Sequence, residues 1–406
     1  MMNEATWKFV RQHSSDDVRQ LALRGTKDRE VDFRLALQQI EGWQVARRKL
    51  PTWAALDGLL YPPHLSLEQC SSEQTARYKA SVCQHLLATL DTPSSTTLID
   101  LTGGLGVDFY FMAQAFDSSS NYVEQNPDLC TIAAHNFRLL GLSCTVHHAL
   151  AADILPVLPR ATVIFLDPAR RDHHGGRTYG IADCTPNVLE MKDELLGKAD
   201  FIVLKLSPML DWRKAVQDLG EQYVEEVHIV SVQNECKELL VVMSARSAKR
   251  SMGHCQVYCV NDDDTFIFRP SSPSPPLHPP PSAFTYLYEP NASMMKAGCF
   301  AEVAEAYQMA ALAPNSHLFV SDRLMNDFPG RRFQITAISS MNKQELKVAL
   351  KDIRQANITV RNFPLSVAEL RRKLHLADGG TDYLFATTLA DGRHILIICQ
   401  KLNINS

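Results

Sequence analysis

Asp100, Gly103, Gly104 and Gly106, with Glu124 further along the chain, are residues whose types and spacing could do chemistry. The first four lie in Leu98-Ile99-Asp100-Leu101-Thr102-Gly103-Gly104-Leu105-Gly106-Val107-Asp108, an apolar run that ends in a carboxylate and turns through glycines. Glycine reaches positive φ freely and lets backbone approach a ligand closely. The pattern is G-G-x-G, not the G-x-G-x-x-G of dinucleotide binders. Glu124 closes a second short strand expected over 121–123, and an acid at about this offset in a βαβ unit hydrogen-bonds ribose hydroxyls. A third apolar run, Thr162-Val163-Ile164-Phe165-Leu166, leads into Asp167-Pro168-Ala169-Arg170. A continuous apolar run reads as a buried parallel strand. Ligands of open α/β sheets bind beyond the carboxyl ends of such strands, so Asp167 is expected at the mouth of a site. Its carboxylate could take a hydrogen bond or a proton, and Arg170 could stack on a base or pair with a phosphate. Lys205 and Ser207, at the end of another strand over 201–206, are further pocket candidates; a snorkelling side chain is the alternative for Lys205.

These residues need a scaffold. A helix over 109–116 follows the glycine turn, and Asn126-Pro127-Asp128 opens a helix that Gly141 stops. Further strands are expected over 144–147, 227–232 and 239–243, the last two as a hairpin around Gln233-Asn234-Glu235-Cys236-Lys237. Seven strands alternating mostly with helices predict a largely parallel sheet. Residues 1–90 read as helical, with apolar residues at helical spacing over 31–40 and a capping box at Ser71-Ser72-Glu73-Gln74. The Pro-rich stretch 270–282 reads as a linker. Beyond it, Tyr286 to Gly298 suggests a strand feeding a helix, and 317–321 another strand. From Arg331 the expected order is strand 333–338, helix 343–354, strand 357–363, and a capping box at Ser366 and Glu369 opening a helix over 370–374. Strands 383–389 and 395–400 follow, joined by an Asp391-Gly392 turn. Between residues 331 and 375 there are ten Lys or Arg and three acids. Such a surplus suits phosphate-backbone binding, with Arg331, Arg332, Arg371, Arg372 and Lys373 as candidates, or else a solvated basic face.

The strings L-I-D-L-T-G-G-L-G-V-D, F-L-D-P-A-R-R-D, Y-L-Y-E-P-N-A-S-M-M-K-A-G and L-R-R-K-L-H-L-A-D-G-G-T-D-Y-L-F-A-T carry a resemblance. The whole chain resembles bacterial class I S-adenosylmethionine (SAM)-dependent RNA methyltransferases with a C-terminal THUMP-like domain. The resemblance implies a Rossmann-like α/β sheet of seven strands with SAM as cofactor. It implies a helical N-terminal domain at 1–90, a methyltransferase domain at 91–269 and a linker at 270–282. A ferredoxin-like segment at 283–330 and a THUMP-like RNA-binding domain at 331–406 would complete the chain. Cofactor contacts implied are Asp100, Thr102, Gly103, Gly104, Gly106, Asp108, Glu124, Gln125, Asp153 and Asp167, with Asp153 near the adenine amine. Arg77 and Tyr78 match a segment that lies over SAM in similar enzymes. Asp167, Pro168 and Arg170 would be catalytic. This chain has D-P-A-R where nucleobase methyltransferases carry [N/D]-P-P-[aromatic] or D-P-P-R, which leaves the acceptor atom open. The implied partner is structured RNA, tRNA or rRNA.

Composition agrees with a globular chain: 406 residues, 45% hydrophobic, 21% charged, net charge −4. That balance gives no chain-wide basic signal, so local patches must carry any nucleic-acid contact. No apolar stretch nears the ~18 residues of a membrane span. The first residues lack a signal-peptide plan, and ten dispersed cysteines suit reduced thiols, so a cytoplasmic location is expected. His254-Cys255-x-x-x-Cys259 lacks a second matched pair and reads as core packing, and His173-His174 as a loop; no metal is expected. Two other readings remain: methylation of a protein or small molecule with the C-terminal part as a dimerisation unit, or an RNA-binding protein that retains a catalytically idle SAM fold.

Overall fold

The computed structural model describes residues 2–91, 95–118, 120–170, 180–246, 255–270, 284–313 and 315–402. Arg171, Asp172, His173, His174, His254 and the linker from 271 onward lie outside the described residues, as does the side chain of Arg170. The chain divides into two compact units, Met1–Glu225 with Leu240–Met252, and Glu226–Leu239 with Gly253–Ser406.

The first unit begins with helices Glu4–His13, Val18–Arg24, Phe33–Lys49, Pro51–Ala54, His64–Gln69 and Glu73–Ala88. Asn3, Asp17, Asp32 and Ser72 cap four of them, each side chain accepting a backbone N–H of the first turn. The expected capping box at 71–74 does not form. Ser72 caps alone, through Thr75 N–H, while Ser71 Oγ donates to Asp108 Oδ2 at 2.7 Å. Glu73 turns instead to the Thr52 N–H and to Arg77. Its longer reach serves tertiary contacts that a sequence window cannot see.

The strands that follow are β1 (Leu98–Asp100), β2 (Ser120–Glu124), β3 (Cys144–His148), β4 (Ala161–Leu166), β5 (Ala169–Arg170), β6 (Cys184–Thr185), β7 (Ala199–Leu206), β8 (Val224–Val232) and β9 (Glu235–Met243). In this unit the order is β9-β7-β4-β1-β2-β3. β1 pairs in parallel with both β2 and β4, β2 with β3, and β4 with β7. The chain leaves β1 toward β2 and β3, then returns to β4 on the other side of β1. This reversal is a topological switch point, where an open sheet leaves a crevice at its carboxyl ends. β1 and β4 are buried along their whole length. Helices Val107–Ala113 and Pro127–Leu139 follow β1 and β2; the first is shorter than the expected 109–116 and begins earlier.

In the second unit, β8 pairs in parallel with β10 (Gln256–Asn261), which pairs antiparallel with β11 (Asp264–Phe268). Among the described residues β10 and β11 thus stand beside β8, two strands beyond the seven expected. The remaining strands are β12 (Tyr286–Pro290), β13 (Ala310–Ala311), β14 (Phe319–Ser321), β15 (Gly330–Ser340), β16 (Gln355–Arg361), β17 (Ala377–Thr388) and β18 (His394–Lys401). They form a sheet of order β13-β14-β12-β15-β18-β17-β16. One face packs Leu287, Phe333, Phe385, Ile397 and Cys399 together. On the other face, Ala386, Leu396 and Val360 meet Leu346 and Leu370, which belong to helices Lys343–Ala349 and Val367–Leu374. The capping box of Ser366 and Glu369 is present. The helix expected to run to 354 stops at Ala349.

Candidate active site

The glycine turn sits at the carboxyl end of β1, and its glycines do different things. A Cβ on Gly103 would come within 2.1 Å of the Tyr122 ring, and one on Gly106 within 2.4 Å of Phe137. These two glycines admit the aromatic packing beneath the turn. Gly104 has φ +57, and a Cβ there would meet nothing closer than Thr102 O at 3.9 Å. Its open side is the cleft. The turn is held by side chains: Gly104 N–H donates to Glu124 Oε2 at 2.8 Å, and Tyr122 Oη donates to Gly104 O. Glu124 Oε1 also accepts the Asn126 N–H at 2.8 Å. Thr102 ties the two switch-point strands together, because its Oγ1 accepts the Asp167 N–H at 2.6 Å while its own N–H donates to Asp100 Oδ1 at 2.9 Å.

Above this turn lies a cleft of about 580 Å³, within the usual range of small-molecule sites. Asp100, Thr102, Gly103, Gly104, Gly106, Asp108, Glu124, Gln125 and Asp167 all line it. Ala149 to Ala152 form part of one wall, and Asn187, Glu190 and Met191 part of another. Five of its described lining residues are carboxylates (Asp100, Asp108, Glu124, Asp167, Glu190), and none is Lys, Arg or His. Burial pushes the Asp100 carboxyl well above the usual carboxylate range. The Thr102 N–H bond opposes that shift, and the charges of Asp108, Asp167 and Glu124 add to it. Such a cleft repels phosphates and suits a cation.

Two lysines balance this wall from behind. Lys205 Nζ, at the end of β7, donates to Asp167 Oδ2, and its side chain is 15% exposed. Lys79 is fully buried and lies 3.3 Å from Asp108 Oδ1. Neither lines the cleft. Asp108 is thus anchored to helix Glu73–Ala88 by Lys79 and to Ser71 by a hydrogen bond.

Several of the expected site residues lie off the cleft lining. Asp153 is exposed in the short helix Ala151–Ile154, and the cleft is lined by Ala151 and Ala152 instead. Pro168 is buried and off the lining, while Ala169 is on it. Arg77 pairs with Glu73 and lies 4.7 Å over the Phe111 ring; neither it nor Tyr78 lines the cleft. Arg170 is placed only as backbone, in β5. Ser207 Oγ accepts the Met209 N–H and is also off the lining. Sequence reasoning missed Gln69, Cys70, Ser71, Asn187, Glu190 and Met191, which no local pattern marks as cleft residues.

The C-terminal cations sort sharply by partner. Arg331 and Arg361 both bond to Glu289, Arg361 Nη2 at 2.8 Å from Oε1. Arg332 is 9% exposed and donates to the Asn326 carbonyl. Burial lowers its pKa. Arg371 donates to the carbonyls of Ala356 and Ala377 and to Asp378. Three of the five residues expected to meet RNA, Arg331, Arg332 and Arg371, therefore have at least part of their guanidinium bonded within the fold. Arg372 and Lys373 are exposed, as are Lys343, Lys347, Lys351 and Arg354.

A parallel sheet with a glycine turn, an acid closing β2 and an acidic cleft at the switch point is the arrangement of a Rossmann-like class I methyltransferase fold. Comparison with known proteins agrees. Residues 330–401 match the family described as THUMP domain-like, and residues 286–329 the one described as ferredoxin-like domain. A crystal structure from Porphyromonas gingivalis W83, described as a methyltransferase, is 33% identical and covers 98% of each chain with a TM-score of 0.84. Two proteins from strains of Mycobacterium tuberculosis, described as uncharacterized S-adenosylmethionine-dependent methyltransferases, are each 23% identical over 259 residues. That match covers 62% of this chain and 66% of theirs. The chain belongs to the family of class I SAM-dependent methyltransferases that carry ferredoxin-like and THUMP-like parts. Among the described residues no helix is long and apolar enough to cross a membrane.

Proposed function

We propose that this protein transfers a methyl group from SAM to a base in structured RNA, a tRNA or an rRNA. The observation that carries the cofactor half is a cleft lined by five carboxyl groups, two of them countered from behind by Lys79 and Lys205, with no Lys, Arg or His among its described lining residues. SAM bears a sulfonium and an ammonium against a single carboxylate, so that wall attracts it and disfavours phosphate-bearing nucleotides. The open side of Gly104 and the acid Glu124 would take the backbone-side and ribose-side contacts. SAM supplies the methyl group itself.

What the chain adds is position and proton handling. Lys205 holds Oδ2 of Asp167, which leaves Oδ1 to accept a hydrogen bond or a proton from the acceptor nitrogen. Thr102 fixes the Asp167 backbone, and with it the line from cleft to acceptor. The RNA half rests on the THUMP-like match and on six exposed cations between 343 and 373. We assign residues 1–90, 91–269, 283–330 and 331–406 as helical, catalytic, ferredoxin-like and RNA-binding parts.

The cofactor half is tested at Gly104. A valine there would project into the cleft and carry a β-branched side chain at φ +57. Calorimetry should show no measurable SAM binding by Gly104→Val while circular dichroism shows a folded chain. Wild-type SAM affinity in the folded variant would remove this turn from the cofactor site.

A further inference from the structure

The motif Tyr286-Leu287-Tyr288-Glu289-Pro290-Asn291 places a buried acid at the end of β12. The Glu289 side chain is 5% exposed and holds two arginines. Arg331 is its register partner on β15. Arg361 comes from β16, which stands apart from β12 by β15, β18 and β17. Neighbouring strands lie about 4.8 Å apart, so this bond requires the sheet to curl until its two flanks meet at this end. Glu289, Arg331 and Arg361 share the alternation of Leu287, Phe333 and Phe385, so they cap the concave apolar face.

At this end of the sheet several buried polar atoms have no partner among the described residues: Arg361 Nε, Thr387 Oγ1, Asn291 Nδ2 and His317 Nδ1. Thr387 is fully buried and is the register partner of Arg361 on β17. Asn291 is 4% exposed. Its Oδ1 already accepts the Ser293 hydroxyl and the Met294 N–H, which leaves its amide hydrogens to donate. His317 stacks on Phe300 at 3.9 Å, and burial with the Arg361 charge holds its imidazole below the usual range. An unmet buried donor costs about 1–3 kcal/mol, and native chains keep few of them. Here the guanidinium, hydroxyl and amide groups all donate, and two arginines face one carboxylate. The missing partner is an acceptor with several oxygens and a negative charge.

We propose that Arg361, Thr387, Asn291 and His317 form a phosphate subsite for the RNA strand. This rests on the RNA reading of the function and assigns it a place. Arg361 contributes charge and an unused Nε–H, Thr387 and Asn291 contribute neutral donors, and Glu289 keeps Arg361 oriented when no phosphate is present.

The test uses the intact protein, fluorescence anisotropy with a labelled single-stranded ribooligonucleotide across a salt series, and thermal melts with and without inorganic phosphate. Thr387→Val keeps shape and removes one donor. It should weaken oligonucleotide binding roughly tenfold, in keeping with a hydrogen bond to a charged group, with a melting temperature equal to or above wild type. Arg361→Gln should weaken binding further and flatten the salt slope by about 0.7, the value for one phosphate of a single strand. Oligonucleotide binding by Thr387→Val with wild-type affinity and salt slope would overturn the proposal and leave these donors to water. Stabilisation of wild type by inorganic phosphate, lost in both variants while oligonucleotide binding is unchanged, would also overturn it, in favour of a free-phosphate site. A wild-type protein that binds no RNA at any salt would overturn the RNA reading itself, and with it this subsite.

Discussion

At the scale of single residues, the proton handling proposed above rests on Asp167 and its ammonium partner. Asp167 was legible because an apolar run ending in Asp-Pro points to a strand's carboxyl end. That Lys205 reaches its Oδ2 was not legible, since Asp167 follows β4 and Lys205 lies on β7, strands paired only in the folded sheet. Lys205→Met should leave SAM affinity within about tenfold and lower methyl transfer by ~10²-fold, the usual reach of acid–base help. Lys205→Arg should restore part of it, and turnover unchanged in Lys205→Met would reduce the pair to a structural contact. Asp100 makes a pH prediction. Burial raises its folded pKa above the unfolded value, so the folded chain holds the extra proton more tightly. The stability this group contributes is full below its unfolded pKa of about 3.9 and is lost as pH rises through the raised folded value. Thermal melts across that range should show a downward slope in wild type that Asp100→Asn lessens; an identical slope in both would assign it to other groups.

At the scale of elements, the sequence revealed those that carry their own signals. The turn after β1, the Asn126-capped helix and the Ser366 capping box all announce themselves within a few residues. β10 and β11 were missed although Val257, Cys259, Phe266 and Phe268 are buried and alternate with less buried neighbours around an Asn261-Asp262-Asp263 turn. Cys255 and Cys259 carry a metal-like spacing that masks the period-2 pattern of this stretch. Beside Asp153 the cleft is lined by small residues, Ala151 and Ala152, which no sequence pattern singles out. Helix Glu73–Ala88 reaches the site through a fully buried lysine, which no amphipathic pattern foretells. Removing one partner of a buried ion pair leaves an uncompensated charge and costs about 3–5 kcal/mol. Asp108→Ala, which takes from the buried Lys79 the carboxylate 3.3 Å away, should therefore lower the unfolding free energy by about 3 kcal/mol in a urea titration. A loss under about 1 kcal/mol would show that the two helices are not held by this pair.

At the scale of the whole molecule, a net charge of −4 conceals two surfaces of opposite charge. A carboxylate-walled cleft lies in one unit and a face of exposed cations in the other, on helices Lys343–Ala349 and Val367–Leu374 and just beyond the first. The local charge surplus was countable from sequence, but not which cations were free to use it, since Arg331, Arg332 and Arg371 are bound to their own chain. The exposed set Lys343, Lys347, Arg372 and Lys373 is the part that should steer RNA, and with it substrate choice. The most direct measurement is transfer of labelled methyl from SAM to total RNA, followed by nucleoside analysis, for wild type and for a variant with those four residues changed to Glu. The predicted result is label in one modified base with wild type, a loss of tenfold or more in the variant with SAM affinity intact, and a milder salt dependence of what remains. Label appearing in protein or small molecules and never in RNA, or RNA labelled equally by both proteins with the same salt dependence, would contradict it.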